Sequence, residues 1–191
     1  MNKQLNFKNY IRFYDLTISF LLIIIFSPLI FLIYIICFID TGKPFFIQKR
    51  VGINQKPFEI IKFRTMYIGT PSIGSHLIDK KSLTRLGRLL RILKIDELPQ
   101  LINVIKGDMS LIGPRPCLYN QKELIDKRKE FNIFSSKPGI TGLAQIKGLD
   151  MSDPINLVRA EYLMISTLSH KNYFKYLFMT FYGMGFGDRV R

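Results

Sequence analysis

Two adjacent carboxylates, Asp96 and Glu97, stand out because the chain is poor in acids, with 14 Asp+Glu against 28 Lys+Arg. The basic residues nearest to this pair in sequence are Arg88, Arg91, Lys94 and Lys106. Asp96 is placed to cap a helix whose apolar stripe ends at Gly107, and a helix N-terminus adds partial positive charge. An anionic substrate could therefore approach Asp96 despite its charge. A helix cap without any chemistry is the alternative interpretation.

Three further cations lie in settings that suit phosphate binding. Arg115 lies between Pro114 and Pro116, which fix the backbone on both sides and would hold the guanidinium in a set direction. Lys62 and Arg64 alternate along a predicted strand and so share one face of it. Such a pair could clamp a phosphate, although charges on a short ribbon are more often simply solvated.

Histidine and cysteine are too scarce for a metal centre or a disulfide scaffold. The chain has two cysteines, Cys37 and Cys117, without partners at metal-ligand spacing, and two histidines, His76 and His170. His76 lies in a predicted long loop, residues 67–82, where a general base or an ordinary surface histidine are the two interpretations. Multi-histidine metal sites are therefore excluded.

The composition describes a basic, apolar chain of one domain. Its 191 residues carry a formal charge of +14, and 48% are hydrophobic against 22% charged. This balance allows a buried core and is not that of a disordered chain. The length suits a single domain covering residues 1–191.

The apolar residues concentrate in residues 16–39, which contain no charged side chain before Asp40. A straight helix of this length reaches about 36 Å, enough to cross a hydrocarbon core of roughly 30 Å. A cleaved signal peptide is a poor interpretation, because its apolar region is shorter and ends in a small-residue cleavage pattern. A spanning helix, a re-entrant helix and an uncleaved anchor remain. Residues 40–191 then form a part outside the bilayer.

Ser27 and Pro28 lie near the centre of this segment and favour the re-entrant form. Proline removes a backbone donor and kinks a helix, so each half would be about 16 Å long. Lys and Arg flank the segment on both sides, so the positive-inside rule does not choose between orientations. A kinked but ordinary spanning helix is the alternative, since such helices tolerate proline.

The rest of the chain predicts a β-hairpin, helices and a short extended segment. Residues 45–51 and 58–66 predict a β-hairpin, and residues 83–94 predict a basic amphipathic helix that lies on the bilayer or packs on the core. Residues 121–130 predict a solvated helix, 140–148 a short extended segment, and 157–182 an aromatic helical stretch.

Four motifs together resemble the bacterial sugar transferase family, the small monotopic phosphoglycosyl transferases. They are Ser27-Pro28, the stretch 45–66 ending KFRTM, IDELPQLINVIKGDMSLIGPRP at 95–116, and KPGITGLAQIKG at 137–148. The resemblance implies a compact α/β catalytic domain on a re-entrant, helix-break-helix anchor at the cytoplasmic face of the bacterial inner membrane. It also implies transfer of a sugar-1-phosphate from a UDP-sugar to undecaprenyl phosphate, with Mg²⁺ and release of UMP.

The resemblance assigns roles to particular residues. It makes Asp96 the nucleophile that carries a phosphosugar-aspartyl intermediate, and Glu97 a supporting ligand or proton handler, with Mg²⁺ beside both. An acyl phosphate suits two successive transfers because it keeps the phosphoryl group activated. By resemblance, Lys62, Arg91, Arg115 and Gln145 are the expected donor contacts, and Arg64 is added because it shares a strand face with Lys62.

The match weakens towards the C-terminus, where relatives carry an aspartate shortly before the tyrosine that corresponds to Tyr162. Glu161 is a candidate replacement for one such acid, which affects the sugar contacts more than the chemistry. The terminal GDRV resembles relatives that handle N-acetylated or deoxyamino sugars. The product would initiate an O-antigen, capsule, exopolysaccharide or glycoprotein glycan, and a homodimer is allowed.

Two other functions compete with this one. A membrane-tethered basic module could hold anionic lipid or nucleic acid without chemistry, since charge alone would allow it. It leaves Asp96-Glu97 and Arg115 unexplained, so no nucleic-acid partner is expected. An inactive anchoring subunit is disfavoured because Asp96 is intact.

Overall fold

A computed structural model of the chain describes residues 2–71 and 79–183. Its first element is a long helix, α1 (Asn2–Thr41), whose residues 9–41 are long and apolar enough to span a membrane. Only 11% of the most apolar window is buried inside the protein, and Ile25, Phe31 and Ile39 are largely exposed. Exposed apolar side chains along a helix of this length are compatible with anchoring in a bilayer.

Helical backbone continues through Pro28, so the two separate half-helices expected from Ser27-Pro28 are not present. The reason lies in the carbonyl of Ile24, which the missing N–H of Pro28 leaves without its usual helical donor. The Ser27 hydroxyl donates to this oxygen over 2.8 Å. A neighbouring serine thus supplies the lost hydrogen bond, and the helix need not break. Re-entrant topology stays a prediction.

The predicted β-hairpin is confirmed, with a shorter second strand. Strands β1 (Phe45–Val51) and β2 (Pro57–Phe63) pair antiparallel, from Phe45 opposite Phe63 to Val51 opposite Pro57. The predicted extension of β2 to Met66 is wrong. After Phe63 only the Arg64 amide still donates to the Pro44 carbonyl, and Met66 forms an isolated bridge with Leu83 instead. Arg50 Nη2 donates to Gln48 Oε1 over 2.6 Å, as expected for residues that share a strand face.

Two short helices follow the hairpin and flank the acidic pair. Helix α2 (Arg85–Ile92) is capped by the Thr84 hydroxyl, and α3 (Gln100–Lys106) ends at Gly107 in the left-handed conformation, with φ of 92°. The prediction that Asp96 caps α3 is wrong. A 3-10 turn (Ile95–Glu97) contains Asp96, and α3 begins only after Pro99, whose fixed φ suits a helix start.

The remaining elements form a second layer around a short parallel ladder. Strand β3 (Ser110–Ile112) pairs with β4 (Gly139–Thr141), which confirms the α/β class. The other elements of this layer are α4 (Lys122–Glu130), α5 (Leu143–Ile146), α6 (Pro154–Ser166) and α7 (His170–Phe181).

Three sequence predictions for this layer need correction. The extended segment 140–148 is a strand only at its start, because α5 begins after Gly142. The helix at 121–130 is not solvated throughout, since Leu124 and Arg128 are buried. The aromatic stretch 157–182 is divided by a turn between α6 and α7, where Ser169 caps α7.

Two polar side chains of α1 attach this helix to the elements that follow it in the chain. Arg12 donates from both terminal nitrogens to the carbonyls of Val104 and Ile105 at the end of α3, over 2.6 and 2.8 Å. Asp15 Oδ1 accepts hydrogen bonds from the Ser110 hydroxyl, the Leu111 amide and the Tyr173 hydroxyl. The anchor helix is therefore attached to α3, β3 and α7 through buried polar contacts as well as apolar packing.

Candidate active site

The acidic pair occupies the 3-10 turn between α2 and α3, where its two members face different surroundings. Asp96 is 4% exposed, whereas the Glu97 carboxylate pairs with Lys62 Nζ and both of those side chains remain about one-fifth exposed. Lys62 comes from β2, so the hairpin supplies a cation directly to the acidic turn. The structure therefore joins Lys62 to Glu97 in an ion pair that the sequence analysis did not predict, and the donor-binding role of Lys62 stays a prediction.

Asn103 holds β2 in the position that this pairing requires. Its side-chain oxygen accepts from the Ile61 amide over 3.0 Å, and its nitrogen donates to the Glu59 carbonyl over 2.6 Å. The amide thus occupies the edge of β2 as a further strand would. Asn103 is 1% exposed and belongs to α3, so it joins the hairpin to the helix that follows Asp96-Glu97.

Arg91 approaches the same region from the last turn of α2. Its Nε donates to the Thr65 hydroxyl over 2.8 Å, and the Thr84 amide donates to the Thr65 carbonyl over 3.1 Å. Gly87 lets α2 lie directly on this segment, since a Cβ there would come within 2.0 Å of the Thr65 oxygen. Close packing on Thr65 therefore determines where Arg91 lies.

The acidic turn is built against the anchor helix. Ile95 packs on a buried cluster of Ile33, Cys37, Phe63 and Leu90, which joins α1, β2 and α2. The segment that bears the buried Asp96 therefore packs, through Ile95, on the C-terminal part of the apolar helix.

Arg64 has a different position from the other predicted phosphate contacts. Its Nε donates to the Lys43 carbonyl over 2.8 Å and its Nη2 to the Phe45 carbonyl over 3.0 Å. The guanidinium also lies 5.7 Å from the centre of the Phe46 ring. These contacts close the base of the hairpin, and they give Arg64 a structural task that its predicted substrate role did not include.

Arg115 belongs to a group of contacts around the β3–β4 ladder. Its amide donates to Glu161 Oε1 over 3.2 Å, and its carbonyl accepts from Arg128 Nη2 over 2.8 Å. Arg128 and Glu161 form an ion pair whose side chains are 2% and 0% exposed. Glu161, expected as a replacement for an acid of the sugar site, is thus committed to this pair.

Gln145 lies beside the same loop and is 7% exposed. Neither atom of its side-chain amide has a hydrogen-bond partner among the residues that the structure describes. A Cβ on Gly142 would contact both the Gly113 carbonyl and the Gln145 oxygen, which places this amide next to the turn leading into Arg115. A buried amide without partners is costly, so a bound polar group would relieve a real penalty.

The predicted Mg²⁺ site can be tested only by the chemistry of its ligands. Asp96 and Glu97 offer adjacent carboxylates, the ligand type that Mg²⁺ uses together with substrate phosphates. Within residues 2–71 and 79–183, no group of three His, Cys, Asp or Glu residues is placed to hold a metal. Two carboxylates are too few to hold Mg²⁺ alone, so a metal at this pair would have to share its coordination with a bound diphosphate. His76 lies outside the described residues.

Comparison with known proteins settles the family. A profile described as bacterial sugar transferase matches residues 7–187. The chain belongs to the bacterial sugar transferase family. The resemblance drawn from the four motifs is thereby confirmed, and the protein is an enzyme.

Individual relatives agree with this assignment. EpsL of Bacillus subtilis, named an uncharacterized sugar transferase, is 46% identical over 138 residues, which are 72% of this chain and 68% of EpsL. UDP-glucose:undecaprenyl-phosphate glucose-1-phosphate transferase of Caulobacter vibrioides is 39% identical over 143 residues, 72% of this chain and 54% of the relative. An N-acetylgalactosamine phosphotransferase of Aeromonas hydrophila is 37% identical, with 32% of its length covered. This sugar transferase therefore matches only part of its longer relatives.

Several residues that shape the site were not predicted as such. Asn103 carries a detectable signal, because it is a polar residue within the apolar run of α3. Arg128 carries none, since QKELIDKRKE has the composition of a solvated helix. Asp15 also went unnoticed, although an acidic residue immediately before an apolar membrane segment needs a partner when it is buried.

Proposed function

We propose that this sugar transferase moves a sugar-1-phosphate from a UDP-sugar to undecaprenyl phosphate. Relatives named as undecaprenyl-phosphate glucose and galactose phosphotransferases support the class of reaction, and the chain is accordingly a phosphoglycosyl transferase. The acceptor is confined to the bilayer, whereas the donor is soluble. A catalyst for this reaction must therefore lie at the membrane boundary.

One observation carries the proposal: the segment that bears the buried Asp96 packs against the apolar helix α1. Ile95, the neighbour of Asp96, packs with Ile33 and Cys37 of α1, and Lys62 meets Glu97 on the adjoining strand. A buried carboxylate one residue from the Lys62–Glu97 pair, in a segment packed on an apolar helix, suits a reaction between two phosphates of which one is lipid-bound.

In the first step, a carboxylate oxygen of Asp96 attacks the β-phosphorus of the UDP-sugar. A P–O bond forms to Asp96, and the bond between the β-phosphorus and the bridging oxygen breaks, so that UMP leaves with the electron pair. In the second step, an oxygen of undecaprenyl phosphate attacks the same phosphorus and restores the free carboxylate. The lipid then carries a diphosphosugar.

The cations of the site offset the repulsion between anions in both steps. Lys62, Arg91 and Arg115 would contact donor phosphates, and Gln145 would donate to and accept from a polar group of the donor. Glu97, held by Lys62, would orient the acidic turn and serve as a metal ligand. When bound at Asp96 and Glu97, Mg²⁺ would neutralise phosphate charge and polarise the scissile bond.

The sugar is proposed to be N-acetylated or deoxyamino, on the basis of the terminal GDRV, which lies outside the described residues. Relatives are named for glucose, galactose and N-acetylgalactosamine. A donor panel must therefore contain plain as well as N-acetylated and deoxyamino sugars.

The catalytic part is proposed to face the cytoplasm from a re-entrant α1. Such a helix keeps both chain ends on one side, so cysteine labelling at Asn2 and Arg191 in intact cells tests the topology. Protection of both positions from an impermeant reagent would support it. Labelling of one end alone would indicate a spanning helix instead.

Intact mass tests the chemistry directly. Purified protein is incubated with Mg²⁺ and each UDP-sugar, without lipid, beside Asp96→Asn and the surface control Asp126→Asn. A gain of one sugar phosphate in the unaltered chain and the control, but not in Asp96→Asn, would support the aspartyl intermediate. UMP release without any adduct, even in rapidly quenched samples, would instead indicate direct transfer. No UMP release after adding undecaprenyl phosphate would favour a non-catalytic module that binds anionic lipid or nucleic acid.

A further inference from the structure

Every polar backbone group of the loop Pro114-Arg115-Pro116 makes a hydrogen bond. The two prolines have no N–H, which leaves three carbonyls and one amide. The Pro114 carbonyl accepts from the Gly139 amide over 2.8 Å, and the Pro116 carbonyl accepts from Arg50 Nη1 over 3.1 Å. The two remaining groups belong to Arg115.

Both backbone groups of Arg115 bind one buried ion pair. Glu161 Oε1 accepts from the Arg115 amide, and Arg128 Nη2 donates to the Arg115 carbonyl. The same two side chains join each other through Arg128 Nε and Nη2 to the two carboxylate oxygens of Glu161. Together, Arg128 and Glu161 form what we call the Arg115 clamp.

The surroundings of the clamp show that stability alone does not explain it. The neighbouring cluster is apolar and contains Cys117, Leu124, Ile133, Leu157 and Val158. Well-packed hydrophobic residues in place of a buried ion pair often leave a protein equally stable or more stable, because both ions must lose their hydration. An ion pair that binds both the amide and the carbonyl of one residue also fixes the position of that residue, which an apolar pair could not do.

Arg128 of the clamp stays charged. Burial lowers its pKa, but its interactions with Glu161 and Cys117 together outweigh this effect and raise the pKa above its usual value. Burial raises the pKa of Glu161, and the interaction with Arg128 and the hydrogen bond from the Arg115 amide act in the opposite direction. Arg128 therefore stays charged and retains its planar arrangement of donors, which lysine could not reproduce.

We propose that Arg128 and Glu161 are positioning residues that aim Arg115 at the diphosphate of the donor. They act through the backbone of Arg115 and do not touch the substrate. The inference rests on the proposed function, because it requires Arg115 to contact donor phosphates. It adds two residues, from α4 and α6, that the sequence motifs do not contain.

The test is a set of variants in the full-length, membrane-embedded chain. Arg128→Lys keeps the charge but cannot reach both Glu161 and the Arg115 carbonyl with the same fork of donors. A second variant, Arg128→Met with Glu161→Leu, removes the ion pair without leaving a charge buried. Arg115→Ala serves as the reference, and Lys127→Met, which removes an exposed ion pair with Glu130 on the same helix, as the matched control.

The measurements are the thermal unfolding temperature and UMP release, with KM determined separately for the UDP-sugar and for undecaprenyl phosphate. We expect both clamp variants to lower kcat/KM for the UDP-sugar about tenfold or more, as loss of a charge-assisted contact does, while Lys127→Met changes nothing. KM for the lipid should move much less. Added to Arg115→Ala, the clamp variants should cause little further loss, because the residue they position is gone.

Three results would overturn the inference. Clamp variants with normal UDP-sugar kinetics would show that Arg115 needs no positioning. Losses that multiply with those of Arg115→Ala, or that simply follow a lower unfolding temperature, would show a general structural role. If the unaltered chain releases no UMP from any donor, the proposed function fails and the inference fails with it. Normal UMP release with unaffected clamp variants would overturn the inference alone.

Discussion

Replacing Asn103 by alanine should destabilise the chain by about 3 kcal/mol, since each lost hydrogen bond contributes about 1 kcal/mol and buried groups left unpaired add to it. Asn103 makes two such bonds to β2 and is 1% exposed, so water does not readily replace it. Alanine would leave the Ile61 amide and the Glu59 carbonyl without these partners. Aspartate keeps the acceptor for Ile61 but turns a second oxygen towards the Glu59 carbonyl, so it should not rescue stability.

Thermal unfolding in detergent checks this value. For a chain of this size, about 3 kcal/mol corresponds to a decrease of roughly 6–12 °C in Tm. The control is Asn172→Ala, which removes one exposed hydrogen bond to the Thr167 carbonyl and should cost less than about 1 kcal/mol. Asn103→Ala should also slow UMP release at temperatures where it is folded, because β2 carries Lys62. A Tm within about 1 °C of the unaltered chain would refute the account of Asn103 as the link between α3 and β2.

Three other predictions follow from named contacts. Gly87→Ala should lower Tm by an amount equivalent to about 2 kcal/mol, because the added Cβ would clash with the Thr65 carbonyl. This clash outweighs the normal preference of alanine for a helix. Arg88→Ala on the same helix is the control. Asp15→Ala should lower Tm far more than Asp15→Asn, since asparagine retains an oxygen for the three donors; equal effects would contradict this. Asp153 is the N-cap of α6, and hydrogen bonds from the side chain and the amide of Asn156 lower its pKa below the usual 3.8. The contribution of this cap to stability is therefore present above pH 3.8 and is lost as pH falls through the lowered pKa. The Tm difference between Asp153→Ala and the unaltered chain should therefore shrink in acid and persist at pH 6.

Local sequence signals predicted much of the fold. β-Forming residues on either side of a turn gave the hairpin, and apolar spacing gave α2 and α3, because these features depend on neighbours within a few residues. The capping role of Asp96 was wrong because two start signals compete in this segment, and Pro99 determines where α3 begins. Gln145 was found only through the family motif, and its burial without a partner appears only in three dimensions.

Contacts between distant segments could not be predicted in this way. Arg128 and Glu161 are 33 residues apart, and neither helix carries a pattern that indicates its partner. Glu161 was expected near the sugar because its neighbour Tyr162 matched a family position. A helix exposes only some of its faces, and packing of α4 on α6 turned this acid towards Arg128.

The contacts of α1 indicate that this helix forms one side of the candidate site and does not serve only to attach the chain to a membrane. A tether would need only apolar surface, but α1 places Arg12 on the end of α3 and Asp15 against β3 and α7. Near its other end, Cys37 packs in the cluster that contains Ile95, the residue before Asp96. The helix therefore meets both ends of the segment that bears the acidic pair. In the proposed reaction a soluble donor must meet a lipid phosphate at a fixed height relative to the bilayer, and attachment of α1 at both ends would provide that height.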